Sequence, residues 1–176
     1  MKRNGFSMIE LVFVIVILGV LAAVAVPRFV TTRTDAQVAM ARSDIASTLK
    51  AIPARVFAEN LDPTQSAPAG FSNWGEWMID TGGLDKGRWK SGGNDIQPQG
   101  NGTTANNGHT THQQVGCGSI ISIEPATGNL IFDPNKIAGT AANGGSGGTF
   151  CKALKESYPS GSNRIIPLAT TGAVKF

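Results

Sequence analysis

The feature that most constrains this chain is an apolar run near its amino terminus, from Phe6 to Val26, in which only Ser7 and Glu10 carry polar side chains. A helix of about 21 residues is about 31 Å long, which matches the hydrocarbon thickness of a bilayer. A carboxylate in hydrocarbon costs about 2.5 to 3.5 kcal/mol on insertion scales. Glu10 therefore needs an explanation that an ordinary membrane anchor does not supply.

Two ordinary interpretations leave part of this segment unexplained. A secretory signal peptide fits the basic residues Lys2 and Arg3 and a small-residue cleavage site at 23–25, and cleavage there would release a secreted soluble domain. Glu10, however, enters where the apolar core of a signal peptide should begin. A plain transmembrane helix spans the bilayer well, but it explains neither Glu10 nor the helical pattern that continues beyond the membrane.

A third interpretation comes from a family resemblance. The leader KRNG, which ends at Gly5, is followed by FSMIEL and an apolar run up to Pro27. This pattern resembles the amino terminus of type IV pilins and of the pseudopilins of type II secretion systems. In those families the prepilin peptidase cuts after the glycine, and the new amino terminus is methylated. The resemblance therefore implies removal of residues 1–5, cleavage between Gly5 and Phe6, and N-methylation of Phe6.

The resemblance also implies a role for Glu10 in assembly. A carboxylate in apolar surroundings needs an opposite charge and hydrogen bonds, or else it takes up a proton. In the family, the opposite charge is the amine of the first residue on a neighbouring subunit, here Phe6, since methylation keeps that charge. Pairing at a single stagger would make Glu10 a residue that sets register between subunits. The alternative is that Glu10 extends to the lipid headgroups near the helix start.

The helical pattern persists beyond the apolar run. Apolar residues recur at intervals of three or four between Val38 and Val56, while charged residues fall off that line. We expect one long helix from Phe6 to about Asn60. Residues 6–27 would form its apolar transmembrane and filament-core half, and residues 28–60 its amphipathic half.

Two prolines interrupt this predicted helix. Pro27 is expected to kink or loosen it, because proline removes a backbone hydrogen bond and crowds the preceding turn. In the pilin family a proline near this position marks where the helix can melt and extend in the filament, and a simple kink at the membrane exit is the alternative. Pro53 is expected either to act in the same way or to end the helix near Ala51.

Residues 61–176 are predicted to form a globular head. The segment from Gly92 to Gln114 is rich in Gly, Asn, Thr and Gln and has no apolar period, so it predicts a long exposed loop. The aromatic residues before it, above all Trp74 and Trp77, predict a short helix or a core cluster. An exposed tryptophan surface that binds a partner is the alternative.

Short apolar runs bounded by turn residues predict strands in the last third of the chain. Residues 124–128, EPATG, form a plausible hairpin connection between the first two of them. The predicted fold class is α+β, in which a long N-terminal helix packs on a small antiparallel sheet, as the pilin resemblance also implies. The predicted strands are residues 119–124, 129–133, 164–168 and 173–176.

The two cysteines, Cys117 and Cys151, lie in this part of the chain, and neither has the CxxC spacing of a metal site. If the head is exported, it reaches an oxidising compartment, which favours a disulfide over buried free thiols. Closing a loop of about 35 residues would stabilise the fold by about 4 kcal/mol on the chain-entropy model.

No catalytic, cofactor or metal site is predicted. His109 and His112 stand in a polar segment without a neighbouring cysteine or acidic ligand, and the sequence carries no nucleophile elbow or phosphate-binding glycine loop. Four aspartates that could serve calcium, Asp80, Asp85, Asp95 and Asp133, match no calcium-loop spacing. Without the two basic residues of the leader, the 15 Lys and Arg residues fall to 13 against 12 acidic ones, which does not predict nucleic-acid binding.

Together, the residues and the resemblance imply a structural subunit of a type IV pilus-like or type II secretion pseudopilus filament, and not an enzyme. The subunit would be a single-pass inner-membrane protein before assembly and part of a periplasmic or extracellular filament afterwards. Its expected partners are other filament subunits, the prepilin peptidase, the inner-membrane assembly platform and the membrane. The alternative is a membrane-anchored extracellular binding module that uses the Trp74 and Trp77 region or the long loop and never polymerises. The N-terminal pattern is common to pili and pseudopili, so it does not separate the two.

Overall fold

A computed structural model describes residues 7–106, 109–138 and 148–169 of the chain. Two compact units make up the chain, residues 1–36 and residues 37–176. An N-terminal helix combined with an antiparallel sheet confirms the predicted α+β class. The helices are α1 (Met8–Ala58), α2 (Trp74–Thr81) and α3 (Gly148–Glu156), and a 3-10 helix covers Pro134–Lys136. The strands are β1 (Trp89–Ser91), β2 (Asp95–Asn106), β3 (His109–Gly116), β4 (Ile121–Glu124), β5 (Asn129–Phe132) and β6 (Arg164–Pro167).

The described part of the first unit is helical from Met8 onward, and its apolar side chains are exposed. In the consecutive run from Leu11 to Leu18, the exposed fraction ranges from 42% at Ile17 to 65% at Phe13. A run of this length covers more than two helical turns, so apolar surface is presented on every side of the helix.

Within the described residues, we find no helix whose length and hydropathy together suffice to cross a membrane.

From residue 37, α1 is amphipathic, as the spacing of its apolar residues predicted. Ile45, Ile52 and Val56 are at most 2% exposed and face the core of the second unit, whereas Arg42 and Lys50 are exposed. The burial of one such aliphatic side chain stabilises the fold by about 1.5 to 3 kcal/mol.

Helix α1 continues through Pro53 to Ala58, so an end near Ala51 is wrong. A proline inside a helix costs about 3 kcal/mol. Burial of the flanking Ile52 and Val56 offsets that cost, because both side chains would leave the core if the helix ended early. The position of Pro27 also lies within α1, and its kink stays a prediction.

The end of α1 has a local cause. Asn60 takes a left-handed conformation with a φ of 49°, and the Leu61 N–H donates to the Val56 carbonyl over 3.0 Å. This bond and the left-handed residue before it form a Schellman motif, in which glycine is usual and asparagine also occurs.

The sheet has the order β1-β2-β4-β5-β6, and β3 pairs with β2 outside that path. All the described pairings are antiparallel. The long strand β2 has three neighbouring strands, because different parts of its length pair with different strands. Its residues 95–98 pair with β1 and β4, and its residues 99–106 pair with β3.

The loop predicted between Gly92 and Gln114 is largely a two-stranded ribbon of β2 and β3, so this prediction was wrong. Backbone pairing runs from Gln99 opposite Gly116 to Asn106 opposite His109. A ladder of backbone hydrogen bonds needs no apolar side chains. A polar ribbon therefore lacks the hydrophobic alternation from which strands are recognised in a sequence.

Three of the four strands predicted near the carboxyl terminus are confirmed as β4, β5 and β6, and the fourth, residues 173–176, lies outside the described residues. The hairpin connection is confirmed as well. Glu124 pairs with Asn129, and the Gly128 N–H donates to the Glu124 carbonyl over 2.8 Å. Gly128 has a φ of 66°, a conformation that glycine adopts without steric cost.

One core lies between α1, α2, α3 and the sheet in the second unit. Its largest side chains are tryptophans that are at most 2% exposed. One of them, Trp89 on β1, donates its indole N–H to the Asp44 carboxylate over 3.0 Å and so joins the sheet to α1. The amphipathic half of α1 is therefore held by a directional bond as well as by apolar packing.

Candidate functional site

Glu10 lies in the first turn of α1 and bonds to the start of the same helix. Its Oε2 atom accepts a hydrogen bond from the Ser7 N–H over 2.8 Å, and the Ser7 hydroxyl accepts one from the Ile9 N–H over 3.4 Å. The Leu11 N–H donates to the Ser7 carbonyl over 3.2 Å, so Ser7 is the residue that caps the helix. A cap serine followed three residues later by a glutamate is a capping box. The sequence SMIE contains this signal, although no cap was predicted from it.

This geometry leaves the Glu10 carboxylate available for a second partner. The side chain is exposed, and its bond to Ser7 uses one of the acceptor sites of the carboxylate. The positive end of the helix dipole also favours a carboxylate here. Gly5 and Phe6 lie outside the described residues, so cleavage between them and methylation of Phe6 stay predictions.

The apolar surface on both sides of Glu10 in the chain is the second element of the candidate site. Exposed side chains of this size are individually common, but a contiguous apolar surface marks a contact with a membrane or with another protein. The exposed members of this surface are Met8, Ile9, Leu11, Val12, Phe13, Val14, Ile15, Val16, Ile17, Leu18, Val20 and Leu21.

The disulfide predicted in the head is confirmed. Cys117 and Cys151 are bonded, both are fully buried, and their Cα atoms lie 5.3 Å apart. Cys117 directly follows β3 and Cys151 lies in α3, so the bond joins the ribbon of β2 and β3 to a helix that the sequence did not predict.

Trp74 and Trp77 belong to the core and not to a binding surface. They are 0% and 1% exposed, and their rings meet edge to face with centroids 5.3 Å apart. The indole N–H of Trp74 donates to the Gln65 carbonyl over 2.8 Å. The alternative prediction of an exposed tryptophan surface that binds a partner is therefore wrong, because these side chains would have to leave the core before a ligand could touch them.

The four aspartates considered as calcium ligands each bind a different partner within the protein. The two histidines considered as metal ligands, His109 and His112, lie on β3. Within the described residues, no group of three or more His, Cys, Asp and Glu side chains is placed to hold a metal ion. The partners of the aspartates are Arg55 for Asp80 at 2.7 Å, the Gly87 N–H for Asp85 at 2.7 Å, the Ser119 hydroxyl for Asp95 at 2.9 Å and the Asn135 N–H for Asp133 at 3.0 Å.

Comparison with known proteins bears on the amino-terminal segment. Residues 1–26 match the family described as the prokaryotic N-terminal methylation motif. The chain is 41% identical over 61 residues to the type II secretion system core protein G of Pseudomonas aeruginosa, a match that covers 35% of this chain and 40% of that protein. It is 63% identical over 30 residues to the type IV narrow pilus major component PilA5 of Thermus thermophilus, a match that covers 17% of this chain and 26% of that protein. No solved structure matches the chain significantly.

These matches confirm the resemblance that the leader and the apolar run predicted. The chain carries a prepilin-type N-terminal motif and is similar over part of its length to a type IV pilin and to a type II secretion pseudopilin. It spans less than half the length of either relative.

Proposed function

We propose that this protein is a structural subunit of a filament of the type IV pilus or type II secretion pseudopilus kind, and not an enzyme. The observation that carries the proposal is the methylation motif at residues 1–26 on a helix whose apolar side chains are exposed on every side. Such a helix needs apolar cover all round. Lipid supplies that cover before assembly, and the helices of neighbouring subunits supply it afterwards. The two relatives, named as a secretion-system core protein and a major pilus component, support the same proposal.

The proposed life of the subunit begins in the inner membrane. The prepilin peptidase removes residues 1–5, and the new first residue, Phe6, is N-methylated. An assembly platform in the inner membrane then transfers the subunit into a periplasmic or extracellular filament. Residues 6–27 form the membrane-spanning and filament-core part, residues 28–60 the amphipathic helix of the head, and residues 61–176 the rest of the head.

Glu10 has two successive roles in this proposal. In the free subunit its carboxylate caps α1 through the Ser7 N–H, as the 2.8 Å bond supports. In the filament it also pairs with the Phe6 amine of a neighbouring subunit. Apolar surroundings make an unpaired carboxylate costly, so subunits docked without this pair are disfavoured and one stagger is selected.

The experiment that tests this proposed function uses the full chain, expressed with its prepilin peptidase and its assembly machinery. Mass spectrometry of the amino-terminal peptide is expected to show a chain that starts at N-methylated Phe6, and electron microscopy of the sheared fraction is expected to show filaments that contain it. A chain that starts at Val26 would overturn the proposal in favour of a signal peptide. A chain that starts at Phe6 but never enters filaments would overturn it in favour of a membrane-anchored module.

A further inference from the structure

A groove in the second unit carries two arginine side chains on its rim. It has a volume of about 280 Å³ and lies between α1, the β5–β6 pair and the connection from α3 to β6. Its lining is mixed, and its apolar and aromatic side chains include Ile45 and Leu49 from α1 and Phe132 from β5. Arg42 from α1 and Arg164 from β6 stand beside this apolar lining, and both side chains are exposed.

The two arginines share an aromatic neighbour, and neither forms an ion pair with a described residue. The guanidinium carbon of Arg42 lies 5.3 Å from the centroid of the Tyr158 ring, and that ring meets Phe132 edge to face at 5.4 Å. Among the described residues, no carboxylate oxygen lies within 4.0 Å of either guanidinium. Two cations beside one groove repel each other, and an anion seated between them would relieve that repulsion. The groove therefore fits a carboxylate carried on an apolar segment.

A segment of this composition lies at the turn between β4 and β5. Glu124 is exposed and is followed by Pro125 and Ala126, of which Ala126 is also exposed. The Glu124 carboxylate accepts a hydrogen bond from the Thr127 hydroxyl over 2.6 Å, and no basic side chain of the described residues lies within 4.0 Å of it. The turn thus offers a carboxylate without a cation, next to small apolar side chains.

The groove and this turn lie at opposite ends of the same strands. At one end of β5, Phe132 pairs with Arg164 beside the groove. At the other end, Asn129 pairs with Glu124 and with Pro167. Strands of four residues separate these two ends by about 10 Å at about 3.3 Å per residue.

We propose that the turn at residues 124–127 of one copy docks into the groove of a second copy, where Glu124 pairs with Arg42 and Arg164. The proposal rests on the proposed function, because it requires many copies of the chain side by side. Charge complementarity selects a second copy as the occupant. A contact between opposite ends of a subunit is heterologous, so it builds a closed ring or, where the rotation does not close, an open helical filament. The proposed filament requires the open arrangement, in which every added copy leaves one groove and one turn free.

The test is a charge exchange in the full chain, expressed with its assembly machinery. The readout is the amount of protein in sheared filaments relative to the amount in membranes. Arg164→Glu and Glu124→Arg are each expected to lower this ratio about tenfold, since truncation or reversal of a paired charge costs at least the 1.4 kcal/mol that corresponds to tenfold in affinity. The double variant Arg164→Glu/Glu124→Arg is expected to recover part of the loss, to about threefold above either single variant, because the pair between positions 124 and 164 is remade with opposite polarity while Arg42 stays a cation.

Two matched controls separate this contact from a general effect of charge. Glu76→Arg changes an exposed carboxylate on α2, flanked by the buried residues Gly75 and Trp77, which cannot offer an apolar surface. Lys50→Glu changes an exposed cation on α1 outside the groove. Both controls are expected to assemble normally, and Glu76→Arg is expected not to rescue Arg164→Glu.

Each possible outcome decides the proposal. Normal filament yield from Arg164→Glu, or rescue by Glu76→Arg as good as rescue by Glu124→Arg, would overturn the docking contact and leave the proposed function standing. No filaments from the wild-type chain would overturn the proposed function itself. Arg164→Gln and Glu124→Gln, which remove a charge with little change of shape, are expected to lower yield by a smaller factor, and unchanged yield from both would also overturn the contact.

Discussion

The Nη1 atom of Arg55, near the end of α1, lies 2.7 Å from the Oδ2 atom of Asp80 on α2. The Nε atom of the same guanidinium lies 2.7 Å from the Glu59 carboxylate, and its carbon lies 5.3 Å from the Trp77 ring centroid. Hydrogen bonds to Glu59 and then to Asp80 raise the pKa of Arg55 above its usual value. A planar guanidinium can meet two carboxylates and an aromatic face together, which a lysine ammonium cannot do. Arg55 therefore orients α2 against the end of α1.

Arg55→Met is expected to lower the free energy of unfolding of the second unit by about 1 to 2 kcal/mol, from the lost cation–π contact and ion pairs. Near-ultraviolet circular dichroism of the tryptophans during chemical denaturation measures the loss. Lys50→Met, on the same helix and outside the described ion pairs, is the matched control and is expected to change stability by less than about 0.5 kcal/mol. Equal effects of the two substitutions would show that Arg55 acts only through its general charge.

The disulfide gives a second prediction on stability. The bonded cysteines are separated by 34 positions, and a loop of this size is expected to contribute about 4 kcal/mol by restricting the unfolded chain. The double variant Cys117→Ala/Cys151→Ala should lose about this amount relative to the oxidised wild type in the same denaturation assay. Treatment with a reductant should destabilise the wild type and leave the variant unchanged. A wild type insensitive to reduction would contradict the prediction.

The sequence predicted the parts of this fold that rest on apolar periodicity. The spacing of Ile45, Ile52 and Val56 predicted a buried helix face, and EPATG between two apolar runs predicted the turn after Glu124. Both were confirmed, because each reflects a local preference that the tertiary structure retains.

The missed features depend on contacts that no local pattern contains. The ribbon of β2 and β3 is defined by backbone pairing between polar residues, so its composition suggested a loop. Arg55 and Asp80 are 25 positions apart, and only the packing of α2 on α1 brings them together. The capping box of Ser7 and Glu10 was the exception, since its spacing is local and readable. The family resemblance had already assigned Glu10 a role between subunits, and the local role was overlooked.

Asp62 is the centre of a local hydrogen-bond network after the end of α1. Its carboxylate accepts hydrogen bonds from the Thr64 hydroxyl, the Gln65 side chain and the Thr64 N–H, which lower the pKa of Asp62 below its usual value of 3.8. Because the folded pKa lies below the unfolded one, this network contributes stability above pH 3.8 that is lost as the pH falls through the folded pKa.

Thr64→Val removes the strongest of these donors and is expected to raise the pKa of Asp62 toward 3.8. An NMR titration of the carboxyl carbon measures the change directly. Thr127→Val removes the hydroxyl that bonds to Glu124 and serves as the control, since it should leave the pKa of Asp62 unchanged. A Thr64→Val titration identical to that of the wild type would show that the hydroxyl does not act on Asp62.

Tyr158 is the single tyrosine of the chain, so the ultraviolet absorbance of its phenolate reports on the groove beside Arg42 and Arg164 without interference from other tyrosines. Burial raises the pKa of Tyr158 above its usual value of 10.0, while the charges of Arg42 and Arg164 oppose that increase. Arg164→Gln is therefore expected to raise the pKa of Tyr158 further, because a neighbouring cation stabilises the phenolate. The raised pKa also predicts that stability falls as the pH rises past 10, since the folded state then binds more protons than the unfolded state. Lys50→Gln should leave the titration unchanged, and an equal shift in both variants would contradict a local effect of Arg164.

Variants of Glu10 and Ser7 can distinguish the capping of α1 from the proposed contact between subunits. Both residues take part in the capping box, so Glu10→Ala and Ser7→Ala should each cost α1 about 0.5 to 2 kcal/mol of local stability. In the proposed filament, only Glu10 would supply a charge to the Phe6 amine of a neighbour. Glu10→Ala is therefore expected to abolish incorporation into filaments, whereas Ser7→Ala should still assemble. Glu10→Gln sharpens the comparison, because an amide can still accept the bond from the Ser7 N–H but carries no charge. Sheared filaments measured by immunoblot against the membrane pool distinguish the cases, and filaments from Glu10→Gln at the wild-type level would show that the charge of Glu10 does not set the stagger.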